Sequence, residues 1–225
     1  LVLHKGEPTS IWVINRTTEP TQVHWHGVEI DSPFDGVVGV GGFKGSPTPP
    51  IMPADSFEVR VTPPRSGSFM YHTHVNDIRQ MSRGLWGAIL ILEPGESWNP
   101  SRDLVYQAGE GTDLNAVLMV KRGKDALPSQ TLQADQTYRV RFMNISMGGP
   151  NLRFLLARDG APVQWTPIAK DGFDLPAWQS QLGKADRFVS IGETMDVEVK
   201  LGAGTYSLEL RQGNGNLVAS QELKV

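Results

Sequence analysis

Four of the five histidines in this chain stand in two short stretches, His24-Trp25-His26-Gly27 and Tyr71-His72-Thr73-His74. Random placement of five histidines in 225 positions gives roughly 0.09 His-x-His spacings, so coincidence explains two of them poorly. On an extended strand, residues i and i+2 share a face, about 6.6 to 6.8 Å apart along the backbone. Each pair is therefore expected to present two imidazoles in one direction. Histidine is the commonest metal ligand, which makes His24, His26, His72 and His74 candidate metal ligands.

The absence of cysteine excludes disulfides, thiolate catalysis and thiolate metal ligands supplied by this chain. Neutral imidazoles suit copper, zinc, nickel or iron, and copper(II) heads the affinity order for nitrogen sites. A single tetrahedral zinc held by all four rings is the structural alternative. The i, i+2 spacing reaches neighbouring metals more naturally than it crowds one ion, which points to a cluster.

A chain of 225 residues with 39 % hydrophobic and 20 % charged residues has the composition of packed globular domains, and two are expected. A net charge of −3 gives no electrostatic footprint for nucleic acid, and no apolar run is long enough to span a membrane. The opening Leu1-Val2-Leu3-His4-Lys5-Gly6 reads as the middle of a strand and its turn, with no export signal. That start suggests a fragment or processed product.

The elements around the histidines read as strands. Alternation predicts Thr9 to Asn15, Val23 to Ile30, Ser56 to Thr62, Ser68 to His74 and Gly87 to Leu92. Between them, positions 31–53 form a Gly- and Pro-rich loop too long for a hairpin and of a kind that is often functional. After the polar connection from Glu93 to Pro100, strand patterns start afresh. They are expected at Leu104 to Gln107, Gln130 to Gln133, Thr137 to Asn144, Leu152 to Ala157 and Val163 to Ile168. Further ones follow at Phe188 to Ile191, Met195 to Lys200, Thr205 to Arg211 and Leu217 to Val225. Only Ala177 to Leu182 hints at a helical turn. Two all-β sandwiches or barrels in series are expected, over residues 1–95 and 101–225.

The motifs resemble a known family. His24-Trp25-His26-Gly27, then Ser68-Phe69-Met70-Tyr71-His72-Thr73-His74 and Gly84-Leu85-Trp86-Gly87-Ala88, is similar to the first two copper-binding signatures of the laccase-like multicopper oxidases. Thr137-Tyr138-Arg139-Val140-Arg141-Phe142-Met143-Asn144-Ile145-Ser146, the Lys170-Asp171-Gly172 turn and Gly192-Glu193-Thr194-Met195-Asp196-Val197 resemble the copper-free middle domain of the three-domain members. The resemblance implies two cupredoxin-like Greek-key β-barrel domains in tandem. It also implies a trinuclear copper cluster that reduces dioxygen to water while a small one-electron donor is oxidised. It gives His24 to the type 2 copper, His26 and His72 to one type 3 copper and His74 to the other. Asp35 matches the family carboxylate that helps deliver protons near the cluster, its plain alternative being a loop turn residue. A periplasmic or secreted location is implied in the same way.

The remaining family ligands, in a His-Pro-x-His-x-His and a His-Cys-His segment, do not occur in this sequence. With them goes the type 1 copper, so a further cupredoxin domain is expected in the same parent chain or on another subunit, and the chain alone is expected to be inactive. A non-catalytic copper-binding or scaffold protein of the same fold is the rival reading. His4 reads as an ordinary strand residue, Trp25 and Trp86 as barrel packing, and the seven methionines as scattered core residues.

Overall fold

The computed structural model describes residues 1–111, 117–121, 127–147 and 151–225. In the first half, Val2–His4, Trp86–Leu92, Gly67–Thr73 and Val23–His24 lie side by side in that order as one sheet. Val2–His4 runs parallel to Trp86–Leu92, and the other pairs are antiparallel. Thr9–Ile14 pairs antiparallel with Ser56–Val61 as a second, two-stranded layer. The period-2 pattern of Ser56–Val61 sends Val59 and Val61 inward, and they join Trp25, Phe69, Ile89 and Ile91 in a core between the layers.

The second half is a larger sandwich. One sheet is built on Asp103–Glu110, Thr137–Asn144, Thr194–Lys200 and Gln164–Lys170, the other on Leu217–Lys224, Thr205–Arg211 and Asn151–Arg158. Tyr106, Phe142, Phe154 and Trp165 fill the space between them and are fully buried. Phe142 and Phe154 stack with ring centroids 4.4 Å apart. Large rings with few rotamers account for this core, since each buries far more apolar surface than an aliphatic side chain. The architecture is the all-β, tandem cupredoxin-like sandwich expected from the sequence.

A third apolar cluster joins the halves, with Met70, Met81, Leu90 and Leu92 packed against Val105, Met143 and Ile145. A buried polar lock lies on the same seam. Arg141 pairs with Asp103 at 2.7 Å and with Asp196 at 3.1 Å, and its guanidinium also donates to the Ser68 hydroxyl at 2.9 Å. Ser68 in turn donates to Asp196 at 2.9 Å, and Thr194 Oγ1 donates to the Ser68 carbonyl at 3.1 Å. Burial opposes the charge of Arg141, but the hydrogen bond to Asp103 and the charges of both carboxylates outweigh it and raise its pKa.

One expected strand needs correcting, and two elements were not anticipated. The strand predicted from Val23 to Ile30 ends at His24, because Val28 N–H donates to the Trp25 carbonyl at 3.1 Å and Gly27 takes φ +78°, which turns the chain. The helical turn expected at Ala177 to Leu182 is present as a single turn, closed by Ser180 N–H to Pro176 O at 3.0 Å. The α-helix Asp77–Met81, directly after the second histidine pair, and a strand at Val117–Lys121 are the two elements not anticipated. Among the described residues no helix is long and apolar enough to cross a membrane.

Candidate metal centre

Cross-strand register brings the two histidine pairs together. His24 and His72 are direct partners between Val23–His24 and Gly67–Thr73, and their ring centroids lie 5.3 Å apart. The second member of each pair lies past its strand end, His26 in the turn before Gly27 and His74 after Thr73. His26 comes to 5.5 Å from both His24 and His72, and His74 to 5.4 Å from His24 and 5.6 Å from His72. The expected shared face within each pair is thus replaced by a four-ring cluster made by pairing and turning. One ring nitrogen each from His24, His26 and His72 fits within 4.8 Å of the others.

Backbone acceptors set the ring orientations. His24 Nδ1 lies 2.9 Å from the Asp35 carbonyl and His72 Nδ1 2.8 Å from the Thr73 carbonyl. A carbonyl only accepts, so each Nδ1 carries the hydrogen and each Nε2 presents its lone pair to the cluster. The Nε2 edge of His26 rests on Gly192, whose backbone bonds the ring in the sense that favours its proton. That leaves His26 Nδ1 facing His72 Nε2 at 3.3 Å. Two imidazole lone pairs at this distance repel unless a cation or proton lies between or beside them. Burial lowers the pKa of His26, and lowers that of His72 to about 4, with the neighbouring histidine charges adding to both. Both rings are therefore neutral at pH 7, and the donor set fits a copper-type ion without competition from protons.

Asp35 meets the cluster from outside. It follows the 3-10 turn Ser32–Phe34, and besides its carbonyl contact its Oδ1 lies 3.5 Å from His24 Nδ1. Gly36 allows this approach, because at φ +80° a Cβ there would stand 1.8 Å from the Val23 carbonyl. The four imidazoles line a chamber of about 270 Å³. Met70, Met81 and Met147 share its wall, so methionines that look scattered in the sequence converge in space. Asp77, Ile145, Ser146, Ile191 and Gly192 complete that wall, and sequence reasoning had named none of the five as a site residue. A carboxylate three positions after His74 was the available signal for Asp77. His4 stays away from the cluster, its Nε2 at 2.9 Å from the Glu96 carbonyl.

The second half grips both histidine segments. Arg65 donates to the carbonyls of Gly27 and Asp171, each at 3.1 Å, and its guanidinium lies 3.8 Å from the Phe173 ring centroid. Ser68, on the strand that carries His72, is held by Asp196 and Arg141.

Residues 1–96 match the family model described as multicopper oxidase. Copper resistance protein A of Escherichia coli is 32 % identical over 122 residues, which is 53 % of this chain and 19 % of that protein. Laccase-1 of Cryptococcus neoformans var. grubii is 33 % identical over 101 residues, 44 % of this chain and 15 % of that one. The chain thus spans less than a fifth of the length of these curated relatives. Among solved structures, the blue copper oxidase of Nitrosomonas europaea superposes with a TM-score of 0.77 at 18 % identity, covering 99 % of this chain and 75 % of the other. The multi-copper oxidase of Pseudomonas thermotolerans gives 0.73 at 24 % identity, covering 100 % and 55 %. At these identities the structural likeness is one of fold, and it runs along the whole chain. Residues 1–96, which hold all four histidines of the two pairs, thus match the multicopper oxidase family model, and the whole chain has the fold of solved multicopper oxidases.

Proposed function

We propose that the chain supplies half of a trinuclear copper site, with His24 on the type 2 ion, His26 and His72 on one type 3 ion and His74 on the other. The observation that carries this reading is the convergence of three imidazole nitrogens within 4.8 Å, their tautomers set by backbone acceptors. Copper held there supplies one-electron redox chemistry for reducing dioxygen to water at the expense of a small reducing substrate. The chain's own residues orient the ligands: the Asp35 and Thr73 carbonyls fix His24 and His72, and Gly192 seats His26. The Asp35 carboxylate, whose Oδ1 lies 3.5 Å from His24 Nδ1, is the group beside the cluster that would help deliver protons there. The remaining ligands and the type 1 copper come from a further cupredoxin domain, in the same parent chain or another subunit, and the location is periplasmic or secreted. Residues 1–95 and 101–225 act as two domains, one bearing ligands and one bracing them.

Copper analysis and oxygen uptake on the full-length protein test this. Several coppers per chain with donor-dependent oxygen consumption are expected, and His26→Ala with His72→Ala should remove most of the cluster copper while the circular dichroism spectrum is kept. A single loosely held copper without oxygen consumption would favour the non-catalytic copper binder, and unfolding on chelation a structural zinc.

A further inference from the structure

One side chain behind the histidine cluster touches both segments that carry it. Gln80, on the Asp77–Met81 helix, is 5 % exposed. Its Nε2 donates to the Pro20 carbonyl at 2.8 Å. A carbonyl only accepts, so the amide nitrogen must face Pro20 and the amide oxygen must face the other way. There the hydroxyls of Thr21 and Thr73 both donate to Oε1, each at 2.7 Å. Both lone pairs of that oxygen are used. Gln80 thus joins the segment that leads into His24 to the segment that carries His72 and His74.

Thr73 passes this grip on to the ligands. His72 and His74 line the chamber, whereas Thr73, fully buried between them, is not part of its wall, as alternation of successive side chains requires. The Thr73 hydroxyl has one hydrogen, and Gln80 Oε1 at 2.7 Å is a closer acceptor than the Val75 carbonyl at 3.1 Å. The Val75 N–H donates back to that hydroxyl at 3.2 Å, which closes a turn around His74. The main chain completes the circuit, with Leu85 N–H on the Gln80 carbonyl and Thr73 N–H on the Leu85 carbonyl, each at 3.1 Å. Backbone carbonyls orient the His24 and His72 rings directly. Among the described residues the His74 ring makes no hydrogen bond, so its place follows from the backbone on either side of it.

We propose that Gln80 is a positioning residue for the copper ligands, setting the spacing between the two histidine segments and the place of His74, an inference that rests on the copper reading above. Gln80 is not part of the chamber wall and acts through Thr21 and Thr73. Replacing its amide by an apolar group leaves two buried hydroxyls and the Pro20 carbonyl to find other partners, which shifts the segments they belong to. The ligands themselves remain, and the fit of their nitrogens to the metal changes.

The test uses the full-length protein with Gln80→Leu, which removes the polar contacts at similar size, and Thr73→Val, which removes one hydroxyl. Thr73→Ser keeps that hydroxyl, and Phe154→Leu is a destabilised control in the core of the second half. Copper affinity, measured by chelator competition, is expected to fall about 10-fold or more in Gln80→Leu and in Thr73→Val. The copper electron paramagnetic resonance spectrum should change in both, and Thr73→Ser should stay close to wild type. In the metal-free protein, the imidazole nuclear magnetic resonance signals of His72 and His74 should move in the first two variants while that of His4 stays. Phe154→Leu should lower the melting temperature and leave the copper spectrum alone. Wild-type affinity, spectrum and ring signals in both Gln80→Leu and Thr73→Val would overturn the proposal and leave the oxidase reading standing. Changes that Phe154→Leu reproduces at an equal loss of melting temperature would overturn it too, by making Gln80 a stabiliser of the fold alone. If Gln80→Leu does not fold, Thr73→Val decides by the same readouts. Wild type that binds no copper would instead sink the oxidase reading, and this inference with it.

Discussion

The two halves of the molecule divide structure and chemistry between them. The second half has the heavier core, with Tyr106, Phe142, Phe154 and Trp165 fully buried, and carries none of the four imidazoles. The first half has a lighter, mainly aliphatic core and sets two of its four imidazoles past the ends of their strands. Turn residues lack ladder hydrogen bonds to hold them, so positional precision must come from elsewhere. It comes from across the seam, where Gly192 meets His26 and the Asp196–Arg141 lock holds the strand of His72 through Ser68. A domain without metal ligands can thus still be part of a metal site, by bracing the segments that carry them.

Breaking the seam should show this most strongly. Asp196→Ala leaves Arg141 buried at 3 % exposure without one of its two carboxylates, and is expected to cost about 3 kcal/mol in denaturant unfolding. It should also weaken copper binding by the first half, since Ser68 loses its acceptor. A loss below about 1 kcal/mol, with copper affinity intact, would break the comparison by making the seam incidental.

Gly192→Ala sharpens the comparison at a single contact. Gly192 has φ +78°, and a Cβ there would lie 3.0 Å from His26 Cε1. The substitution should destabilise by about 1–2 kcal/mol through the backbone and the contact. It should also change the copper electron paramagnetic resonance spectrum, which a mutation in the second-half core would leave alone.

The smallest expected effect concerns pH and belongs to the first half. Burial holds the folded pKa of His72 near 4, below its ordinary value of 6.5, and lowers that of His26. Between those values the unfolded chain binds more protons than the folded one, so metal-free stability should fall as pH drops from about 6.5 to about 4. The loss is on the order of 1 kcal/mol for these half-exposed rings, read as a lower melting temperature. His72→Gln should reduce that slope. A slope unchanged in this variant would place the acid sensitivity in groups other than His72.

Much of the strand pattern was legible. Thr137–Asn144 and Thr205–Arg211 match their expected limits, because alternation over seven or eight residues between turn signals is a strong period-2 signature. The stretch from Val23 to Ile30 misled, since its β-branched residues continue after the chain has turned at Gly27. The short helix at Asp77–Met81 has too few residues to show a 3.6-residue period. Composition could not group the methionines either, as Met70, Met81 and Met147 lie on a strand, a helix and a loop that meet only in the folded chain.

Residue type and spacing alone determined the four imidazoles, the exclusion of thiolate chemistry and the all-β class, because these follow from local pattern and from which side chains exist. Tertiary structure alone decided that His24 faces His72, that His26 Nδ1 points at His72 Nε2, and that Asp77 rather than Asp35 lines the chamber. Those facts depend on strand register and on packing between the halves, which join residues far apart in sequence and leave no trace in local periodicity.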